Sequence, residues 1–194
     1  KPVEVQFARP TSVFAISSML HTAAPGELRE KGARATDNPS RLVDDFSRGF
    51  RDWYRLSADN PHHWQFWTRK ITDPKWRGGA GERLTFEVKT EKPNRLVVVI
   101  TENFFRGYRG SRKGESVTVV ELPGGSGWHE VSLAAGEFIH QESSKRLESW
   151  DVADLLGFRA YYGDRGGKVL GSVRWAGDWP EFRNLRWVKT GEDG

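Results

Sequence analysis

The stretch LTFEVKTEKPNRLVVVITEN, residues 84–103, decides the fold. Leu84, Phe86 and Val88 alternate with Thr85, Glu87 and Lys89, the period of a strand with one wet face. After the polar Glu91-Lys92-Pro93-Asn94 comes Leu96-Val97-Val98-Val99-Ile100, apolar on both faces, as suits a strand buried at the middle of a sandwich. The segment therefore reads as a β-hairpin. A Val-rich strand carries no chemistry, so function must sit on what surrounds it.

Working outward, the same pattern repeats. Strand-like runs at 42–46, 53–56 and 64–71 precede the hairpin, and others at 116–122, 128–133, 155–161, 168–173 and 182–188 follow it, separated by Gly, Pro and Asn turns. Residues 149–154 give one helical turn at most. Roughly eight or more short strands with almost no amphipathic helix predict an all-β, antiparallel sandwich or barrel. The start of the chain differs: 3–7 and 12–16 fit two short strands, but 21–40 is rich in Ala, Gly, Pro and charge. We expect residues 1–40 to be an N-terminal arm or linker and 41–189 to be the β-sandwich domain.

Composition removes several function classes. The chain has no cysteine, so disulfides cannot staple it. Thirty Lys and Arg against 26 Asp and Glu give +4, spread along the length without a block, so nucleic acid is not expected as a partner. No run approaches the roughly 20 apolar residues of a membrane span, and no membrane partner is expected. Lys1-Pro2-Val3-Glu4 has neither a leader pattern nor a Met, which suggests a processed piece of a longer protein. Nine Trp are more than a core of this size needs, so some are candidates for surface work.

Several features recur in a known order: Asp44-Asp45-Phe46 with Gly49 and Trp53; the 81–88 strand followed by 96–100; Gly127-Trp128-His129-Glu130-Val131-Ser132-Leu133 ahead of Phe138; Leu156-Gly157-Phe158; and the closing run 182–188. Over about residues 41–188 the chain resembles the β-jelly-roll, galactose-binding-like carbohydrate-binding modules found beside glycoside hydrolases, esterases, lyases and sulfatases. The resemblance implies a jelly roll that binds a polysaccharide or oligosaccharide without catalysing a reaction, joined to a catalytic domain in a secreted or periplasmic protein. It implies no required cofactor, but in such modules a structural calcium often ties the first strand to the last. Asp44 or Asp45 fits the first partner, and Asn184, with Glu181 nearby, stands where the family often shows Asp; one charge fewer weakens such a site. The alternative is that Asp44 and Asp45 begin a strand and satisfy turn amides.

Sugar rings present C–H faces that stack on flat aromatics, and their hydroxyls pair with Arg, Asp, Asn, Gln and Glu. Three stretches offer that combination. In 62–70, HHWQFWTRK, Trp64, Phe66 and Thr68 point one way and Gln65, Trp67 and Arg69 the other. Trp64, Trp67 and Arg69 are candidates for a platform, the alternative being that all three aromatics are core. His62 and His63 are adjacent, diverge in an extended chain and make a poor chelate. The second stretch, 102–113, carries Asn103, Phe105, Arg106 and Tyr108, where Arg forks would suit an anionic polysaccharide; a solvated basic loop is the alternative. The third holds Tyr161, Tyr162, Trp175, Asp178 and Trp179 among Gly and Asp near strand ends. Trp53, Trp128, Trp150 and Trp187 lie within or beside strand patterns and are assigned to the core.

Two other readings stay open. One is a polysaccharide lyase or hydrolase on the same scaffold, for which Glu102, Glu121, Glu137, Asp151, Asp154, His129, His140, Tyr108 and Tyr161 are available, although no spacing groups them on one face. The other is an accessory domain whose aromatics dock on a catalytic partner.

Overall fold

The computed structural model describes residues 40–56, 62–68, 74–102, 114–163, 167 and 169–189. The expected arm, apart from Ser40, lies outside them.

The strands, in chain order, are β1 (Ser40–Asp44), β2 (Trp53–Leu56), β3 (Gln65–Thr68), β4 (Glu82–Lys89), β5 (Asn94–Glu102), β6 (Gly114–Leu122), β7 (His129–Leu133), β8 (Ile139–His140), β9 (Ala153–Arg159), β10 (Tyr161–Gly163), β11 (Val169–Gly171) and β12 (Glu181–Lys189). A single 3-10 turn, Trp150–Val152, precedes β9. One sheet has the order β1-β12-β4-β7, a second β2-β3-β9-β5-β6-β8, and β10 pairs with β11 alone. Setting β1-β12-β4-β7 against β3-β9-β5-β6 gives the interleaved order of a jelly roll, antiparallel throughout. No helix among the described residues is long and apolar enough to cross a membrane.

The expected hairpin is not one. β4 pairs with β12 and β7, while β5 pairs with β6 and β9 in the other sheet. Alternation identifies a strand but not its partner. Leu84, Phe86 and Val88 from β4 and Leu96, Val98 and Ile100 from β5 enter the same core, and opposite sheets let both sets do so. The residues between them turn a corner.

The valine run is apolar on both faces for a reason the sandwich alone does not supply. Val97 and Val99 point away from the main core and form a second cluster with Val117, against which Tyr162 and Leu170 pack. β10 and β11 therefore lie as a third layer on the six-stranded sheet. The contact is close: Gly171, at φ +81°, has no room for a side chain, because a Cβ would sit 2.5 Å from Val97 Cγ2.

The main core is aromatic. Trp53, Trp64, Trp175 and Trp187 are fully buried, and most of the core indoles find acceptors: Trp53 Nε1 donates to Asp44 Oδ2 at 2.8 Å, Trp150 Nε1 to Glu82 O at 2.8 Å and Trp187 Nε1 to Lys75 O at 2.9 Å.

Candidate functional site

The two sheets present different outer faces. On the four-stranded sheet, charges close on one another: Arg183 pairs with Glu87 at 2.7 and 3.1 Å, Lys89 with Glu181 at 2.8 Å, and Arg83 with Glu137 at 2.9 Å. The Arg183 hydrogen bond, helped by Asn184, holds the Glu87 carboxyl below the usual carboxylate range.

On the six-stranded sheet the register builds a row of outward residues. Tyr54 lies opposite Trp67, Trp67 opposite Gly157 and Gly157 opposite Val99; in the next row Gln65 lies opposite Arg159 and Arg159 opposite Val97. The Tyr54 and Trp67 rings are 6.0 Å apart and tilted by 37°, and Tyr54 is 48% exposed. Gly157 adds no side chain beside Trp67, leaving the row shallow there; a Cβ would already be 3.0 Å from Phe66 O. Arg159 is gripped by both oxygens of Glu115, at 2.5 and 3.1 Å, and its guanidinium lies 5.3 Å from the Tyr162 ring. A cleft of about 330 Å³, bordered by His63, Gln65, Arg159, Tyr161 and Tyr162, continues the row. Val97 and Val99, although outward, are buried at 0% and 1% exposure, so the open part of the face lies over β2, β3 and β9.

Of the residues expected at a ligand, Trp67, Tyr161 and Tyr162 surround this face. Trp64 borders the cleft but is only 1% exposed, and Trp175 is fully buried; the two are core, packed edge to face with centroids 4.7 Å apart. Trp175 is in a loop, but the loop folds inward and its indole donates to Asp178 O at 2.9 Å. Asp178 and Trp179 lie elsewhere. Trp179 packs edge-on against the inward Phe66 at 5.8 Å and carries the Arg55 guanidinium 3.9 Å above its ring. Arg55 alternates with Tyr54, so Trp67 and Trp179 lie on opposite sides of the β2–β3 pair and share no groove. Trp128, expected in the core, is half-exposed with Arg183 at 4.2 Å, because it has the outward parity of Glu130 and Ser132 and not that of the buried Val131 and Leu133. Arg69, Asn103, Phe105, Arg106 and Tyr108 lie outside the described residues. Sequence reasoning passed over Tyr54 and Arg159; their signal was alternation with the buried Trp53 and Phe158.

Of the three positions expected for calcium, Asp44 of β1 lies opposite Leu185, the neighbour of Asn184 in β12. Asp44 accepts from Phe46 N–H at 2.8 Å and from the Trp53 indole, Asp45 accepts from Ser47 N–H at 2.9 Å and from its hydroxyl at 2.7 Å, and Asn184 donates to Glu87 at 2.5 Å. These bonds engage both oxygens of Asp44, one oxygen of Asp45 and the amide nitrogen of Asn184. Among the described residues no group of three or more His, Cys, Asp or Glu is placed to hold a metal. The acid–base candidates are similarly engaged: the Ser116 hydroxyl donates to the buried Glu102, Arg77 lies 3.6 Å from the buried Asp154, Arg95 pairs with Glu121 at 2.8 Å, and His140 Nδ1 contacts Ser143 at 3.0 Å.

No family model and no curated protein matches the chain. Among solved structures it is similar to the family 11 carbohydrate-binding module from Clostridium thermocellum in complex with a β-1,3-1,4-mixed-linked tetrasaccharide. That likeness has a TM-score of 0.45 at 15% identity, covering 78% of this chain and 96% of that one. A second family 11 module, from a cellulosomal cellulase of the same organism, gives 0.42 at 14% identity, covering 78% and 95%. Both are modules of the kind the sequence resembles.

Proposed function

We propose that this protein is a non-catalytic carbohydrate-binding module whose ligand lies on the outer face of the six-stranded sheet, over β2, β3 and β9. The observation that carries the reading is the Tyr54–Trp67 pair, two adjacent rings on an open sheet face. A pyranose ring stacks on such a surface through its C–H groups. Gln65 supplies a donor and an acceptor for its hydroxyls, and Arg159 and Tyr162 border the next position along the row. Among the described residues of this row the cation, Arg159, is already neutralised by Glu115, which favours a neutral chain. An anionic polysaccharide draws its support from residues 103–113 and 69, outside the described set. In this reading the module serves a larger, secreted polysaccharide-processing protein by holding it on its substrate.

Affinity electrophoresis of the folded protein through gels containing soluble β-glucan, xylan, galactomannan, polyuronate or a sulfated polymer tests the proposal. Retardation by at least one neutral polymer, clearly reduced in Trp67→Ala, is expected. Unchanged mobility in every gel would refute it.

A further inference from the structure

A second cleft, of about 450 Å³, opens at the end of the sandwich between the turn carrying Ser126 and the loop carrying Asp178 and Trp179, with Lys89, Glu91 and Glu181 on its walls. Arg55, whose guanidinium lies 3.9 Å from the centre of the Trp179 ring, is not among the residues bordering this cleft. The loop is fixed in place. Asn94, 5% exposed, donates to Ala176 O and accepts from Ala176 N–H, both at 2.9 Å, while the Trp175 indole donates to Asp178 O at 2.9 Å. Within the cleft Lys89 is taken by Glu181 at 2.8 Å. The Asp178 carboxylate makes no ion pair and no hydrogen bond among the described residues, and it stands beside Trp179 on a loop that cannot easily turn it away.

We propose that this cleft is a second sugar-binding site, independent of the sheet face, which takes one neutral sugar residue with its ring against Trp179 and a pair of hydroxyls donating to Asp178. The chemistry follows from the charges. A cationic ligand is disfavoured because Lys89 and Lys92 already pair with Glu181 and Glu91 and Arg55 already occupies the Trp179 ring. An anionic ligand would meet Glu91, Asp178 and Glu181. A hydroxylated ring, by contrast, offers donors to a carboxylate that has none and a flat apolar face to the indole. The choice of a sugar as ligand rests on the function proposed above; the site itself is physically separate and can be read separately.

The test is a titration of ¹⁵N-labelled protein with β-1,4-linked tetrasaccharides of glucose, xylose and mannose, following the indole N–H signals of Trp67 and Trp179, each assigned with its Trp→Phe variant. The expected result is movement of the Trp179 signal with its own midpoint, persisting in Trp67→Ala. Asp178→Asn, an exposed isosteric change that leaves the fold intact, should weaken that midpoint about tenfold without shifting the Trp67 midpoint. A moving Trp67 signal with a still Trp179 signal overturns the second cleft and keeps the sheet-face reading. Movement of Trp179 alone keeps the cleft while the sheet-face reading falls, and stillness of both signals overturns both. A Trp179 midpoint indifferent to Asp178→Asn removes the carboxylate from the site and overturns the proposal as stated.

Discussion

Asn94, the first residue of β5, and Ala176, far along the chain, hold each other by two hydrogen bonds of 2.9 Å, with the amide group of Asn94 acting as donor and as acceptor. The same amide nitrogen also donates to Lys92 O at 3.0 Å. One buried side chain thus replaces a strand partner for a loop that has none. Asn94→Ala leaves those part-buried backbone groups without their partner and should cost about 1 kcal/mol of unfolding free energy. Urea denaturation measures this; an unchanged midpoint would show that water takes over the bonds.

The tryptophans divide into two energetic classes. Trp64→Ala and Trp175→Ala each empty a fully buried site and should cost about 3–5 kcal/mol, detectable as a large drop in thermal midpoint. Trp67→Ala, on the outer face, should cost less than about 1 kcal/mol while reducing glycan affinity about tenfold. Paired denaturation and calorimetric titration of the three variants would fail this expectation if Trp67→Ala proved as destabilising as the other two.

Glu82 ties the edge strand to the sheet interior. It accepts from Arg41 of β1 at 3.0 and 2.6 Å and from Gly79 N–H at 2.5 Å. The Arg41 hydrogen bond, foremost, outweighs the desolvation that acts the other way, so the Glu82 carboxyl is held below the usual carboxylate range. Because the folded value is the lower one, the stabilisation is fully present above the ordinary glutamate value of about 4.3 and is lost as pH falls from there through the folded value. The urea midpoint should therefore decline below about pH 4.3, and Arg41→Met should flatten that decline. A wild-type and a variant profile of identical slope in this range would contradict the assignment.

Gly171→Ala tests the third layer. A left-handed residue with a Cβ costs about 1–2 kcal/mol, and here the added methyl would also meet Val97 Cγ2 at 2.5 Å and Ala160 O at 2.6 Å. The variant should lose more than about 2 kcal/mol, and amide exchange along β5 should rise most around Val97. Exchange spread evenly over both sheets would mean that the β10–β11 pair is not what shields those valines.

How far the sequence could be read follows from what periodicity encodes. Alternation in 82–89 and the apolar run 96–100 located two strands, and the Gly, Pro and Asn turns bounded most of the others, so the all-β class was legible. Pairing was not, because Leu84 and Leu96 would look the same whether they shared a sheet or faced each other across a core. The site divides in the same way. Trp67 was legible since its parity opposes that of Phe66 in one short strand. Trp175 was not, because a loop that tucks its indole under its own backbone leaves no periodic trace. Trp128 was misread although its parity was visible, since it alternates with the buried Val131 and Leu133 and shares the face of Glu130 and Ser132.

The interleaved strand order also constrains how the chain reaches its fold. From β3 to β4, β4 to β5 and β6 to β7 the chain changes sheets, and β1 pairs with β12, Ser40 opposite Val188. Chain neighbours pair directly at β2–β3, β5–β6 and β10–β11. Most contacts therefore close long loops, and refolding should be slow for the size, in the range of milliseconds to seconds. The nine-residue ladder of β5 and β6 is the natural nucleus. Substitutions there should slow refolding, whereas substitutions in the edge strand β1 should chiefly hasten unfolding.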